Sequence, residues 1–159
     1  CVLKRRFTMD VITIKPHHFM DIIKLYGKGI EVFVPDEKMG HDFYKVANQI
    51  ISDKQAVLRL TTDGDDICKP CKAYQTQCTD PLSTIPGFTS KNTYNKALDE
   101  RMAALFGLDL KKTYTAEELC SLYADRHDLI FDVWKEEDEY VTKARHDWFV
   151  NGAEKYLNR

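Results

Sequence analysis

The chain reads as an α+β fold in which helices dominate: one domain, with a small two-stranded sheet and a long loop that carries cysteines. Three observations predict it. Two short runs, residues 11–14 (VITI) and 56–61 (AVLRLT), have the apolar and β-branched composition of strands. Apolar residues recur at helical spacing through most of the remainder. Between residues 68 and 89 neither a helix nor a strand is predicted, yet Cys68, Cys71 and Cys78 fall within that stretch.

The elements follow in order. Lys15-Pro16 ends the first strand, and Pro16 suits the first turn of a helix, where its missing N–H costs nothing. Phe19, Ile22, Ile23 and Tyr26 continue at helical spacing until Gly27 stops the helix. Residues 28–40, with Gly29, Pro35 and Gly40, read as a loop. A second helix is predicted over about 41–53, with Val46, Ala47, Ile50 and Ile51 on one face. The second strand follows, and Asp63-Gly64 is a turn signal. A helix over about 93–106 ends at Gly107. Thr115-x-x-Glu118 is a capping box that is expected to open one long helix through Trp134. A last helix is expected over about 140–156. The acidic run 136–139 reads as a solvated face or junction between these two.

If the two strands pair in parallel, both exits lead to the same end of the sheet. The intervening helices are long enough to supply the crossover that parallel pairing requires. The cysteine loop then lies beside the first turn of the first helix, which carries His17 and His18.

Composition bounds the function. A chain of 159 residues can bury a full core without a metal or disulfides. The net charge of −2 gives no basic footprint for nucleic acid. No apolar run is long enough to span a bilayer, and there is no signal-peptide pattern. Five cysteines, an odd number with three of them clustered, suggest a metal clip more than a secreted disulfide framework, so a reduced, cytoplasmic setting is expected. Residues 1–8 precede Met9 and are expected to be an N-terminal extension; Cys1 is left out of the candidate site and the domain is taken as 9–159.

Cys68, Cys71 and Cys78 form a C-x2-C-x6-C pattern. Thiols two residues apart can turn onto one metal, and a third one loop away can close on the same centre. Soft thiolates select zinc or an iron–sulfur cluster. The bland alternative is three reduced thiols with no metal. Lys69 and Lys72 would favour thiolate formation, or be ordinary surface charge. His17 and His18 open a helix, where backbone N–H dipoles favour neutral rings able to ligate, although a histidine there often only caps or packs. Asp21, one turn on, could orient a ring or bind metal itself. Cys120 could add a thiolate, but it sits on a helical stripe where a free cysteine is more often a small buried hydrophobe. Asp65 and Asp66 could cap the cysteine loop. His127 and His146 receive no role. There is no G-x-G-x-x-G, Walker A, H-E-x-x-H or G-x-S-x-G motif, so a metal centre is the chemistry that the pattern carries.

The strand end Ile14-Lys15-Pro16-His17-His18-Phe19-Met20, taken with Asp63-Gly64-Asp65-Asp66-Ile67-Cys68-x-x-Cys71, resembles the DUF1284 family over roughly residues 11–80. These are small bacterial and archaeal proteins of unknown function that are presumed to bind an iron–sulfur cluster. The resemblance implies a cofactor and not a reaction. A cysteine commonly follows the Pro-His-His motif in that family, where this chain has Asp21. The fourth position of a cluster is then left to His17, His18, Asp21, Cys120 or an exogenous ligand.

Three functions are consistent with these readings. The first is a 4Fe-4S protein with an open iron for a small-molecule substrate or sulfur atom, or with a closed cluster serving a redox partner protein. The second is a structural Zn2+ site of three cysteines and a histidine in a scaffold module. The third is an enzyme that uses none of these residues. No catalytic residue is assigned.

Overall fold

The structure, a computed structural model, describes residues 11–73, 81, 82, 85 and 87–158. Strand β1 (Ile12–Ile14) buries Ile12 and Ile14 and leaves Thr13 half-buried, the period-two alternation of a strand. Strand β2 (Val57–Leu60) runs parallel to it, with Ile12 opposite Leu58 and Ile14 opposite Leu60. The crossover between them is made by helices α1 (Pro16–Gly27) and α2 (Phe43–Ser52). The condition for the loop after β2 to meet the head of α1, parallel pairing, is therefore fulfilled.

Among the described residues the sheet has three strands and not two. Strand β3 (Thr113–Thr115) adds antiparallel to the far side of β2, with Tyr114 opposite Leu58. At three residues it is too short to show a strand period. Thr115 also serves as the N-cap of the next helix, and that capping signal masks it.

Helix α3 (Lys91–Phe106) starts on Ser90, whose side chain accepts from the Thr93 N–H at 3.2 Å. It stops at Gly107, which takes the left-handed φ of 68° that a residue with a Cβ resists. Helix α4 (Ala116–Asp125) has the expected capping box. Thr115 Oγ1 accepts from the Glu118 N–H at 3.1 Å, and Glu118 Oε1 accepts from the Thr115 N–H at 2.8 Å.

The long helix expected from Thr115 to Trp134 is broken. Arg126 sits at φ −132°, ψ 36°, a 3-10 turn covers His127–Leu129, and helix α5 is only Ile130–Val133. The reason is local: Asp125 to Asp128 offers no apolar side chain to pack a continuous helix.

Helix α6 (Glu139–Leu157) begins on Asp138, whose carboxylate accepts from the Tyr140 N–H at 2.7 Å. The acidic run before it is a junction whose first half is paired and whose second half, Asp138 and Glu139, is exposed. Glu136 pairs with Arg101, and Glu137 accepts from the Tyr94 hydroxyl at 2.7 Å and from Arg145 at 3.2 Å.

Helices α1 and α6 cross with their backbones in contact. A Cβ on Gly27 would lie 1.9 Å from the Trp148 carbonyl oxygen, and one on Gly152 would lie 2.0 Å from that of Ile23. Asn151 Nδ2 donates to the Gly27 carbonyl at 2.7 Å across the same crossing. The core around it buries Phe19, Met20, Tyr123, Phe149 and Tyr156 completely. Among the described residues, no helix is long and apolar enough to cross a membrane.

Candidate metal centre

Because β1 and β2 are parallel, the segment leaving β2 returns along the end of β1. The Thr61 N–H donates to the Ile14 carbonyl at 3.1 Å and the Asp66 N–H to the Thr13 carbonyl at 3.0 Å. The Asp66 carboxylate accepts in turn from the Thr13 N–H at 2.9 Å. The loop is thereby fastened beside the first turn of α1.

Asp65 sits at the junction of loop and helix. It is fully buried, and three donors converge on it. Oδ2 accepts from the Lys15 N–H at 2.8 Å and from His18 Nδ1 at 2.7 Å. Oδ1 accepts from the Cys68 N–H at 3.0 Å. Burial opposes a charge here. His18, beside the carboxylate, and the hydrogen bonds it receives nevertheless hold Asp65 well below the usual carboxylate range. A carboxylate can only accept, so the His18 hydrogen lies on Nδ1 and a neutral ring keeps its Nε2 lone pair for a ligand.

The cysteine motif folds as a tight turn on this carboxylate. The Cys68 and Lys69 N–H groups both donate to the Asp65 carbonyl at 3.1 Å, and the Cys71 N–H donates to the Cys68 carbonyl at 2.8 Å. Cys68 and Cys71 are free and half-buried. Ligand atoms of His18, Asp65 and Cys68 all lie within 4.8 Å of one another. Burial, followed by the Asp65 charge, pushes the Cys68 thiol up to about 12. Without metal it is therefore a thiol, and loading a cation displaces its proton. The expectation that the flanking lysines favour a thiolate does not hold at Cys68. Lys69 Nζ lies 3.8 Å from Asp66, and Lys72 Nζ donates to the Glu37 carbonyl at 3.4 Å.

The two histidines part company. Although their rings are 4.4 Å apart, His17 turns to α3, where both its N–H (2.9 Å) and its Nδ1 (2.8 Å) meet Asp99 Oδ1. Burial opposes a charge on His17, but Asp99 outweighs it and raises the ring above its ordinary value of 6.5. That is opposite in direction to the shift expected at a helix start. His17 lines a cleft of about 370 Å³ together with Asp21, Tyr94, Glu137 and Arg145. Asp21 lies 3.5 Å from Lys24. Cys120 is fully buried among core side chains on α4, and burial pushes its thiol up to about 12. Cys78 lies outside the described residues.

Asp99 is not singled out by the sequence as a site residue, although its signal exists. It stands three residues before Met102 on the buried side of α3, and an acid on an apolar stripe needs a partner. Its Oδ1 is used by His17, while the buried Oδ2 has no hydrogen-bond partner among the described residues.

A family model described as "Protein of unknown function (DUF1284)" matches residues 36–132. The chain belongs to this family. The match takes in Asp65, Cys68, Cys71, Asp99 and Cys120. Its extent differs from that of the motif resemblance over residues 11–80: it begins after His17 and His18, continues through α3 and α4, and ends within α5. No curated protein and no solved structure matches the chain.

Proposed function

We propose that the protein carries a metal centre on the loop after β2, with Cys68, Cys71 and Cys78 holding a 4Fe-4S cluster and His18 standing at its edge. The observation that supports this most is the convergence of Cys68 and His18 on the buried Asp65 carboxylate. Thiolates suit iron–sulfur and zinc alike, and a histidine held through its other nitrogen by a carboxylate is a common companion of a bound metal. When bound, a cluster on three thiolates supplies an open iron that can take a small-molecule substrate, or an electron carrier for a redox partner protein if a fourth ligand closes it.

The protein's own residues have defined parts in this reading. Asp65 fixes the His18 tautomer and ties Cys68 to the head of α1. Cys68 gives up its proton when the centre is loaded. His17 is committed to Asp99 and faces the cleft, so His18 is the histidine proposed for the fourth position. Asp21 and Cys120 are not needed.

Metal and acid-labile sulfide analysis, with an absorption spectrum, on protein prepared without oxygen tests the proposal. Iron with sulfide, and a visible band that bleaches on reduction, is the expected result. Cys71→Ser should remove it, whereas Cys120→Ser should leave it in place. Full iron content in Cys71→Ser overturns the assignment. The His18–Asp65 pair also favours a second reading, a structural zinc on three cysteines and His18. Colourless protein that holds zinc, and loses it in both Cys71→Ser and His18→Asn, would establish that reading instead.

A further inference from the structure

The break after α4 assembles a second group of potential ligands. His127 and Asp128 lie on the 3-10 turn, and His146 lies on α6. His127 Nδ1 is 2.8 Å from His146 Nε2, and Asp128 Oδ1 is 3.2 Å from the first and 3.4 Å from the second. Three atoms about 2.0–2.2 Å from one cation lie about 2.9 Å apart at right angles and about 3.4 Å apart at tetrahedral angles. The triangle has the dimensions of a coordination face.

We propose that His127 Nδ1, His146 Nε2 and the Asp128 carboxylate form a second metal site, for a divalent first-row cation of the zinc type. Two imidazoles and one carboxylate are borderline donors suited to such an ion, and they leave a position for water or an exogenous donor. The site is separate from the cysteine loop. It uses no thiol, and His146 lies beyond the residues that the family model matches.

The surroundings prepare it. Asp147 Oδ1 lies 2.9 Å from His146 Nδ1, and a carboxylate can only accept, so that nitrogen carries its hydrogen. Nε2 of the neutral ring is then a lone pair facing His127, the carboxylate–histidine arrangement that orients metal ligands. In the metal-free form the His127 Nδ1–H donates to it. Binding a cation moves that proton to the other nitrogen of His127 and puts the metal in its place. The Phe131 ring, with its centroid 5.1 Å from that of His146, packs one face of the imidazole. The turn is essential to the geometry. On an unbroken helix, neighbours such as residues 127 and 128 point about 100° apart and could not share one partner.

Titration of Co2+, followed by displacement with Zn2+, tests the site on the full chain with its thiol loop as isolated. The expected result is one equivalent of Co2+ beyond the content of the thiol loop, with no thiolate-to-cobalt charge-transfer band. His146→Gln and His127→Gln should each weaken it by about 100-fold or more. Cys68→Ser should leave it unchanged. Asp147→Asn, at a half-exposed position, should weaken it by about tenfold through the orientation of His146. Far-UV circular dichroism identifies any variant that has failed to fold, and the Asp147 variant then carries the test. No additional equivalent, or one that survives with full affinity in both histidine variants, overturns the proposal and leaves the His127–His146 contact as a plain hydrogen bond.

Discussion

The polar cluster at the head of α1 and the one between the 3-10 turn and α6 use the same residue types in opposite ways. Asp65 is completely buried and joins groups 47 and 50 positions away in the sequence. Asp128 is 86 % exposed, and the two imidazoles near it are 19 positions apart. The first cluster exists only if β1 and β2 pair in parallel, so its carboxylate is part of the fold as well as of the site. The second joins the 3-10 turn to α6 and ranges from the exposed Asp128 to a His146 side chain that is only 16 % exposed. A histidine–carboxylate contact therefore says little about role until burial and sequence separation are known. Removing a buried partner strands the groups it satisfied, while removing an exposed one returns them to water.

The largest expected effect breaks the first cluster. Asp65→Ala would leave the Lys15 N–H and His18 without their acceptor, and the Cys68 N–H with only the main-chain carbonyl of residue 65, at a cost of about 3–5 kcal/mol. Urea denaturation of metal-free protein measures it, and a loss below about 1 kcal/mol would mean that Asp65 is not the tie between loop and helix. Next is the crossing that joins the two regions, since α1 carries His18 and α6 carries His146. Gly152→Ala drives a methyl group into the Ile23 carbonyl and should cost about 3 kcal/mol, with both clusters disturbed in a 1H–15N spectrum. A near-neutral result would show that the helices part easily.

The pH profile sharpens the contrast within the first cluster. The folded value of Asp65 is depressed, so its stabilisation is present above the ordinary 3.8 and is lost as pH falls through the folded value. His17 is raised, so its contribution is present below 6.5 and is lost as pH rises through the folded value. From these two groups, metal-free protein should be most stable between 3.8 and 6.5. Continued stabilisation above that window, in denaturation curves recorded across pH, would contradict the His17–Asp99 pairing. The smallest effect is expected at the surface cluster. Asp128→Asn should change stability by no more than about 0.5 kcal/mol, checked by the same denaturation assay. A larger loss would make it a structural acid like Asp65.

Much of the first site is legible in the sequence. The two strands follow from short β-branched runs, and the crossover is long enough to permit the parallel pairing that brings the cysteine loop to the Pro-His-His turn; the pairing itself is settled by the fold. Which histidine faces the loop does not follow, because that choice is made by Asp99, 82 positions away on α3. The second cluster is hidden for a related reason. Hydrophobic spacing places His127 and His146 on continuous helices, and the break at Arg126 that turns them together comes from the failure of a short polar stretch to find packing.

By itself, the sequence determined what is periodic or local: the positions of α1, α2, α3 and α6, the capping box at Thr115, the Gly107 stop and the tight spacing of Cys68 and Cys71. Tertiary structure decided the third strand, the helix break, the contact between Gly27 and Gly152, and the partner of each buried acid. Propensity and hydrophobic period are written in neighbouring residues. The acceptor for a buried N–H or imidazole is chosen by whichever distant segment packs against it, and no local pattern records that choice.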